Sequence, residues 1–488
     1  SIHYLTLSAN QNNSNAQYFL GGIYYFGQYI SCDINKSIHY LTLSANQNNS
    51  NAQSLLGSIY YFGQYISPDI NKSIHYLTLS ASQNNSNAQC FLGAIYYLGE
   101  YISRNINKSI HYLTLSANQN HSDAQYFLGE IYYKGKYITR DINKSIHYLT
   151  LSANQNNSDA QFLLGEIYYL DKYISRDINK SIRYFTLSAN QNHSYAQYYL
   201  GEIYYLGEYI SRDINKSIRY FTLSANQNNS DAQCFLGEIY YLGEYISRDI
   251  NKSIHYLTLS ANQNHSNAQC LLGVIYYTGK YIEKNIKKSI YFFKEASCFN
   301  NSIAKNYLGI IYKNGDGIEK NIYFAKIYFK EAIKQKEEGY SLYNLARIYY
   351  FGIDMKRKIS KAIVLLENAS MKRVLIADLF LFCIFSNCDD KKFWNQNYSE
   401  LYYIKCLNNF PLQMSLINFN DDDNIQNLHK FLRDYDLIHN YDYSYDLLYF
   451  LLYGNFYDWS LKNDNVEQAS KSLKKDMSAD FYDGFSKI

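Results

Sequence analysis

Histidine returns in register at His3, His39, His75, His111, His147 and His255, and it is the side chain best suited to hold a metal or shuttle a proton near neutral pH. The register itself argues against both. Arg183 and Arg219 occupy the same column, and a charged guanidinium is no ordinary metal ligand. Packed helices also stand about 10 Å apart, too far for one ion to join equivalent side chains through bonds of about 2 Å. Gly129 to Lys136 and Gly273 to Lys280 look like a phosphate loop only at first sight: their glycines are one residue too far apart and no Ser or Thr follows. Asp421, Asp422 and Asp423 lack the alternating ligands, Gly and terminal Glu of a calcium loop. No H-E-x-x-H, G-x-S-x-G, H-R-D or C-x-x-C pattern occurs. The expectation is a non-enzyme with no catalytic residue, metal or cofactor.

Charge in columns offers recognition chemistry instead. One column reads Gly22, Ser58, Ala94, Glu130, Glu166, Glu202, Glu238 and Val274. With columns 18 and 26 it lies on one helical stripe, since the three are spaced four apart. The four glutamates are expected to face solvent, either as an incidental solvated face of duplicated units or as an acidic docking stripe for a basic peptide, flanked by Tyr126 and Tyr198 of column 18 and by tyrosines of the Tyr25 type. A second column, Cys32, Pro68, Arg104, Arg140, Arg176, Arg212, Arg248 and Lys284, suggests a basic ridge whose arginines are candidate partner-binding residues for an acidic partner or phosphate. Asp141, Asp177, Asp213 and Asp249 follow directly, so the ridge is expected to be neutralised by these neighbours. His121, His193 and His265 replace loop Asn residues and read as surface variation.

The elements that carry these columns follow from a repeat. SIHYLTLSANQNN returns at Ser1, Ser37, Ser73, Ser109, Ser145, Ser181, Ser217 and Ser253, always 36 residues apart, and diverged copies continue to about Ser370. A chain of 488 residues would otherwise suggest about three domains; the period makes it one array. Hydrophobic residues form 47% of it, enough for a core, and a formal charge of +3 argues against a polyanion binder such as a nucleic-acid protein. Within a unit, Ala16, Leu20, Ile23 and Gly27 fall at i, i+4, i+7 and i+11, and so do Ile34, Ile38, Leu41 and Ala45. Two helices per unit are predicted. Asn15, or Asp123, Asp159 and Asp231 in other copies, is expected to cap the first helix, and Asp33 the second. A lone hairpin cannot bury its apolar face, so neighbouring hairpins must stack into a solenoid. Most of the 57 tyrosines then serve as filling between helices.

Ala16, Leu20-Gly21, Tyr24, Gly27, Asp33, Lys36 and Ser44-Ala45, repeated about ten times, resemble the Sel-1-like repeat, a tetratricopeptide-type hairpin. The diverged copy with Leu308-Gly309, Tyr312, Gly315, Gly317-Ile318 and Ala325 fits best. The resemblance implies an all-α fold: a right-handed α-solenoid of about ten hairpins, closed by a C-terminal helical cap. It further implies a scaffold or adaptor that binds a partner protein or peptide, first helices lining the concave face. The second loop Gly of the family is Tyr29, Tyr65 or Tyr101 in the regular copies, so the loop there must differ. The cysteines do not recur as pairs within hairpins, unlike the disulfide-stapled members, and Cys90, Cys234 and Cys270 read as small buried side chains.

Residues 1–372 are assigned to the array, with a truncated first repeat at 1–13, residues 373–460 to the helical cap and 461–488 to a flexible tail. Val374 to Phe385 is too short to span a bilayer and is expected as a buried closing helix. Leu428 to Ile438 and Tyr445 to Tyr453 also read as helical, Asn418 to Asn427 as a loop. The chain opens at Ser1 inside a repeat, which suggests missing residues upstream. Unpaired cysteines, and N-x-S sequons at helix starts such as Asn35, favour a cytoplasmic setting. No small-molecule substrate is expected. The competing reading is the regulatory or targeting part of a larger signalling enzyme, for example a kinase, and a further one a lumenal quality-control adaptor.

Overall fold

The computed structural model describes residues 2–27, 30–170, 174–336, 339–387, 393 and 395–409. They form two compact units, Ser1–Asn229 and Ser230–Ile488. Unit 1 opens with α1 (Ile2–Asn10). Six hairpins follow, in the order α2 (Ser14–Phe26) and α3 (Ile34–Asn46), α4 (Ser50–Phe62) and α5 (Ile70–Ser82), α6 (Ser86–Leu98) and α7 (Ile106–Ala117), α8 (Ser122–Lys134) and α9 (Ile142–Asn154), α10 (Ser158–Leu170) and α11 (Ile178–Ala189), α12 (Ser194–Leu206) and α13 (Ile214–Asn226). Unit 2 holds four more: α14 (Ser230–Leu242) and α15 (Ile250–Ala261), α16 (Ser266–Thr278) and α17 (Ile286–Cys298), α18 (Ser302–Asn314) and α19 (Ile322–Lys336), α20 (Gly339–Phe351) and α21 (Ile359–Met371). It ends in α22 (Leu375–Asn387) and α23 (Gln396–Asn409). The all-α tandem-hairpin fold is therefore present, and each unit is a stack of hairpins. No helix among the described residues is long and apolar enough to cross a membrane.

The predicted stripes supply the core. Leu149 and Ala153 of α9 pack with Ala160, Leu164 and Ile167 of α10, and Tyr126 and Tyr133 of α8 close the cluster from the preceding hairpin. Each second helix is thus sandwiched between two first helices, which is how one hairpin covers the apolar face of the next. First helices also approach each other directly, α4 with α6, α6 with α8, α8 with α10 and α10 with α12. In unit 2, the apolar stretch Val374 to Phe385 falls almost wholly in α22 and is buried except at Leu375, with Phe380 at 4.9 Å from Tyr350 and Cys383 in the same cluster. The segments read as helices at 428–438 and 445–453, the loop at 418–427 and the tail at 461–488 lie outside the described residues.

Helix ends depart from expectation at one place. Asn15 and its counterparts do not cap the first helices; they stand inside the first turn. The cap is two residues earlier: Asn13, Asn49 and Asn85 each accept the backbone N–H three residues on. The reason is Asn12 and its copies, which take a left-handed φ of 59–66° and end the preceding helix, leaving one residue before the next begins. His121, His193 and His265 hold that same cap position, accepting through Nδ1 from Ala124, Ala196 and Ala268. Their reading as surface variation is corrected. Gly317 keeps the left-handed loop residue of the family (φ 65°), whereas Tyr65, Tyr101 and Tyr137 at that position have no positive φ, in line with the penalty for a Cβ there.

Asp33 caps the second helix as expected, accepting from the Lys36 backbone N–H. In Asp177 and Asp213 the same bond from Lys180 and Lys216, helped by the lysine ammonium, holds the carboxyl below the usual range. A depressed carboxylate contributes stability that is complete above its unfolded pKa of about 3.9 and is lost as pH falls through the lowered folded value. The double variant Asp177→Asn/Asp213→Asn keeps the caps, as Asn105 does naturally, but removes the titration. Its midpoint of thermal unfolding, followed by circular dichroism between about pH 5 and pH 2, is expected to fall less steeply than that of the parent. Equal slopes would refute the assignment.

Candidate docking groove

The outer face of the first helices is set by columns 18, 22 and 26. Columns 18 and 22 are small in α4 and α6, with Ser54, Ser58, Cys90 and Ala94. In α8, α10 and α12 they are large: Tyr126 and Glu130, Phe162 and Glu166, Tyr198 and Glu202. The change in size opens a cavity of about 450 Å³ beside the small residues, walled by Phe62, Phe91 and Phe127 and reaching His121 and Asp123. Phe62 and Phe91 stack at 5.6 Å along one wall. Burial pushes the Cys90 thiol up to about 12, so it is a packing group rather than a nucleophile.

The glutamate column is not the solvent-facing stripe expected. All four carboxylates are half-buried, because the bulky residues beside them take up the groove. Glu130 has a side chain only 16% exposed and forms an ion pair at 2.6 Å with Lys134, one turn on. Burial raises Glu166, opposed by the charge of Lys134. Glu202 has the same half-buried placing. Glu238, in unit 2, accepts from Cys234 Sγ at 3.7 Å, and burial raises its carboxyl too. Tyr126 and Tyr198 are half-buried members of the packing: Tyr126 joins the α9–α10 core, and Tyr198 lies 5.8 Å from Phe221. A partly desolvated carboxylate gains more from a cation than an exposed one does.

The arginine column is engaged with the protein itself. Arg104 donates from Nε to the Tyr97 carbonyl at 2.6 Å and from Nη2 to the Leu98 carbonyl at 2.8 Å, satisfying the end of α6. Its guanidinium then lies 4.4 Å over the ring of Tyr137 in the next hairpin and donates to that hydroxyl. Arg248 repeats both contacts on Tyr241, Leu242 and Tyr281. Arg176 lies over Tyr209, Arg140 over Tyr133, and Arg212 donates to the Leu206 carbonyl. The expected neutralisation by Asp141, Asp177, Asp213 and Asp249 is not what forms: these carboxylates pair with Lys144, Lys180, Lys216 and Lys252 at 3.4–3.6 Å. The N-cap geometry aims each Asp into its own helix, away from the arginine.

Two further polar systems were not anticipated. Gln17 and its copies are buried and hold three helices together. Gln125 donates to the Ala117 carbonyl of α7 and accepts from Gln155 beyond α9 at 2.7 Å. The signal was available, since Gln recurs at both positions in every regular copy. The cap histidines reach back as well: Nε2 of His193 lies 3.4 Å from Asp159, and that of His265 lies 3.1 Å from Asp231. The bond from the imidazole holds both carboxyls below their usual range.

Ten segments match the Sel1 repeat family: residues 14–49, 50–85, 86–121, 122–157, 158–193, 194–229, 230–265, 266–298, 302–337 and 339–373. The fold is similar to that of c5321, described as a protective antigen of uropathogenic Escherichia coli strains displaying an SLR fold. The TM-score is 0.72 at 22% identity, covering 95% of this chain and 98% of that one. A Sel1 repeat protein from Oxalobacter formigenes is similar at TM-score 0.50 and 26% identity, over 61% of this chain and 86% of that one. No curated protein matches the chain.

Proposed function

The chain belongs to the Sel1 repeat family, and from that premise we propose that it is a non-catalytic scaffold whose first-helix face in unit 1 docks a basic, partly apolar segment of a partner protein. The observation that carries this reading is the meeting of an aromatic-walled cavity with a half-buried carboxylate column on one helical face. An apolar anchor of the partner would fill the space beside Ser58 and Ala94. Its lysines or arginines would then run over Glu130, Glu166 and Glu202, with Tyr126 and Tyr198 as flanking surface. Charge pairing of this kind sets register and specificity, while the buried anchor provides most of the affinity. In unit 2, Glu238 offers a like carboxylate. Arg104, Arg176 and Arg248 belong to this reading as clamps that keep successive hairpins in register, and Arg140 and Arg212 as groups engaged within their own hairpins.

Capture from lysate with the parent chain, against the variant Glu130→Lys/Glu166→Lys/Glu202→Lys/Glu238→Lys, tests the proposal. Each partner held by the parent is expected to drop by about tenfold or more, the scale of a few desolvated charge pairs. Circular dichroism must show the variant still helical. Unchanged capture would sink the acidic-groove reading.

A further inference from the structure

Hairpin after hairpin repeats one aromatic arrangement between its two helices. Tyr24 stacks on Tyr40 at 6.0 Å, Tyr132 on Tyr148 at 6.1 Å, Tyr276 on Phe292 at 5.9 Å and Tyr312 on Tyr328 at 5.5 Å. In the regular copies a lysine caps the stack: Lys36 lies 5.2 Å over Tyr24 and pairs with the N-cap Asp33 at 3.4 Å. These contacts fill the space between the first helix and the second.

The last hairpin, α20–α21, loses the second ring and the N-cap carboxylate of this arrangement. Tyr349 occupies the column of Tyr24, but Leu365 stands where the second ring should be. Lys358 replaces the N-cap Asp, and α21 has no side-chain cap. Lys361, in the register of Lys36, therefore has neither carboxylate nor ring among the described residues. What remains is a cleft of about 610 Å³, floored by Ile333, Leu345, Tyr349 and Leu365. Its far wall is Val364, 56% exposed. Lys330 and Lys334 line the α19 side, one helical turn apart, and Ser360 and Lys361 line the α21 side. Lys330 and Lys334 stand where regular copies have Thr42 and Asn46, and neither has an ion pair among the described residues. Other lysines of this unit do find carboxylates: Lys305 pairs with Glu331 at 3.2 Å and Lys320 with Asp354 at 2.9 Å.

We propose that this cleft docks an acidic amphipathic helix from a partner protein. The charge is complementary: three ammonium groups with no ion pair among the described residues, joined by the uncapped N–H end of α21, surround a floor with almost no polar group of its own. The shape fits helix-in-groove recognition, since α19 and α21 form two walls over α20 and leave the cleft open along its length. Carboxylates one turn apart would meet Lys330 and Lys334, a third would meet Lys361, and the apolar stripe between them would rest on Tyr349, Val364 and Leu365. The site is independent of the unit 1 groove, with other helices and the opposite charge, so either can fail alone.

The probe is a fluorescein-labelled peptide of about fourteen residues with leucines at i, i+3, i+4 and i+7 and glutamates alongside, read by fluorescence anisotropy on the full chain. A second peptide carries lysine for glutamate, and oleate serves as a lipid competitor. Leu365→Tyr restores the residue of the other hairpins and closes the cleft, and Lys330→Glu/Lys334→Glu reverses the wall on exposed positions. Binding of the acidic peptide is expected to weaken by about tenfold or more in each, and to be unaffected by Glu166→Lys. Equal binding of the lysine peptide, unchanged affinity in both variants, or saturable displacement of the peptide by oleate would each overturn the proposal. Should Leu365→Tyr lose helicity, the double lysine variant alone decides.

Discussion

Gly129→Val is expected to lower stability by about 3 kcal/mol, although valine is intrinsically the better helix former. The cause is the crossing of α8 and α9. A Cβ on Gly129 would stand 2.5 Å from Leu149 Cγ, 2.7 Å from its Cδ2 and 3.3 Å from its backbone nitrogen. Leu149 is completely buried and cannot swing aside, so the two helices must part. Gly129→Ala adds one carbon at the same place, and its loss should be about 2 kcal/mol after the propensity gain of about 1 kcal/mol. The check is a chemical-denaturation series with a double-mutant cycle. Leu149→Ala alone should cost about 2–5 kcal/mol, but clearly less in the Gly129→Ala background, because the smaller side chain vacates the contested space. Additive losses would show that the crossing is not the source.

Gln125→Leu carries the second large effect, about 2–4 kcal/mol. Leucine matches the amide in volume and suits a buried site, so a purely apolar account predicts little change. The structure predicts otherwise. Gln125 is 2% exposed; it donates to the Ala117 carbonyl at 3.3 Å and to Asn120 Oδ1 at 3.2 Å, and accepts from Gln155 at 2.7 Å. Its loss removes a buried bond to the Ala117 carbonyl together with the bonds to Asn120 and Gln155, whose own side chains are exposed, and each such bond contributes about 0.5–1.5 kcal/mol net. Three helices meet at this amide, so the loss falls on the coupling between hairpins rather than on either hairpin alone. The denaturation midpoint should drop, and Gln155→Ala should add little in the Gln125→Leu background. A change below about 0.5 kcal/mol, the scale of an ordinary surface substitution, would refute the role.

Both effects lie off the columns that drew the eye in the sequence. The charged columns attracted attention because they vary between copies, yet their variation says only that the fold tolerates it. Arg104 was legible as a cation but not as the cap of α6, because the carbonyls it meets belong to the preceding helix and the ring it covers to the following hairpin. Asp177 was expected to pair with the arginine column, but as the cap of α11 it is turned to Lys180 instead. The glutamates were legible as a column; their burial was not, because it depends on neighbours such as Tyr126 and Phe162 in the groove.

The cleft at α20–α21 makes the same point from the other side. Leu365 and Lys358 are visible departures from the repeat, but a missing ring and a missing cap become one site only when packing brings Lys330 and Lys334 of the previous hairpin to the same edge.

The sequence by itself determined the period, the two helices of each unit, their apolar stripes and hence the stacking of hairpins, since these follow from local spacing repeated at 36 residues. Tertiary structure alone decided which polar groups are buried and whom they meet. That division is physical: a helix is closed by bonds four residues apart, whereas the contacts of Gln125, Arg104 and the glutamate column cross from one hairpin to the next.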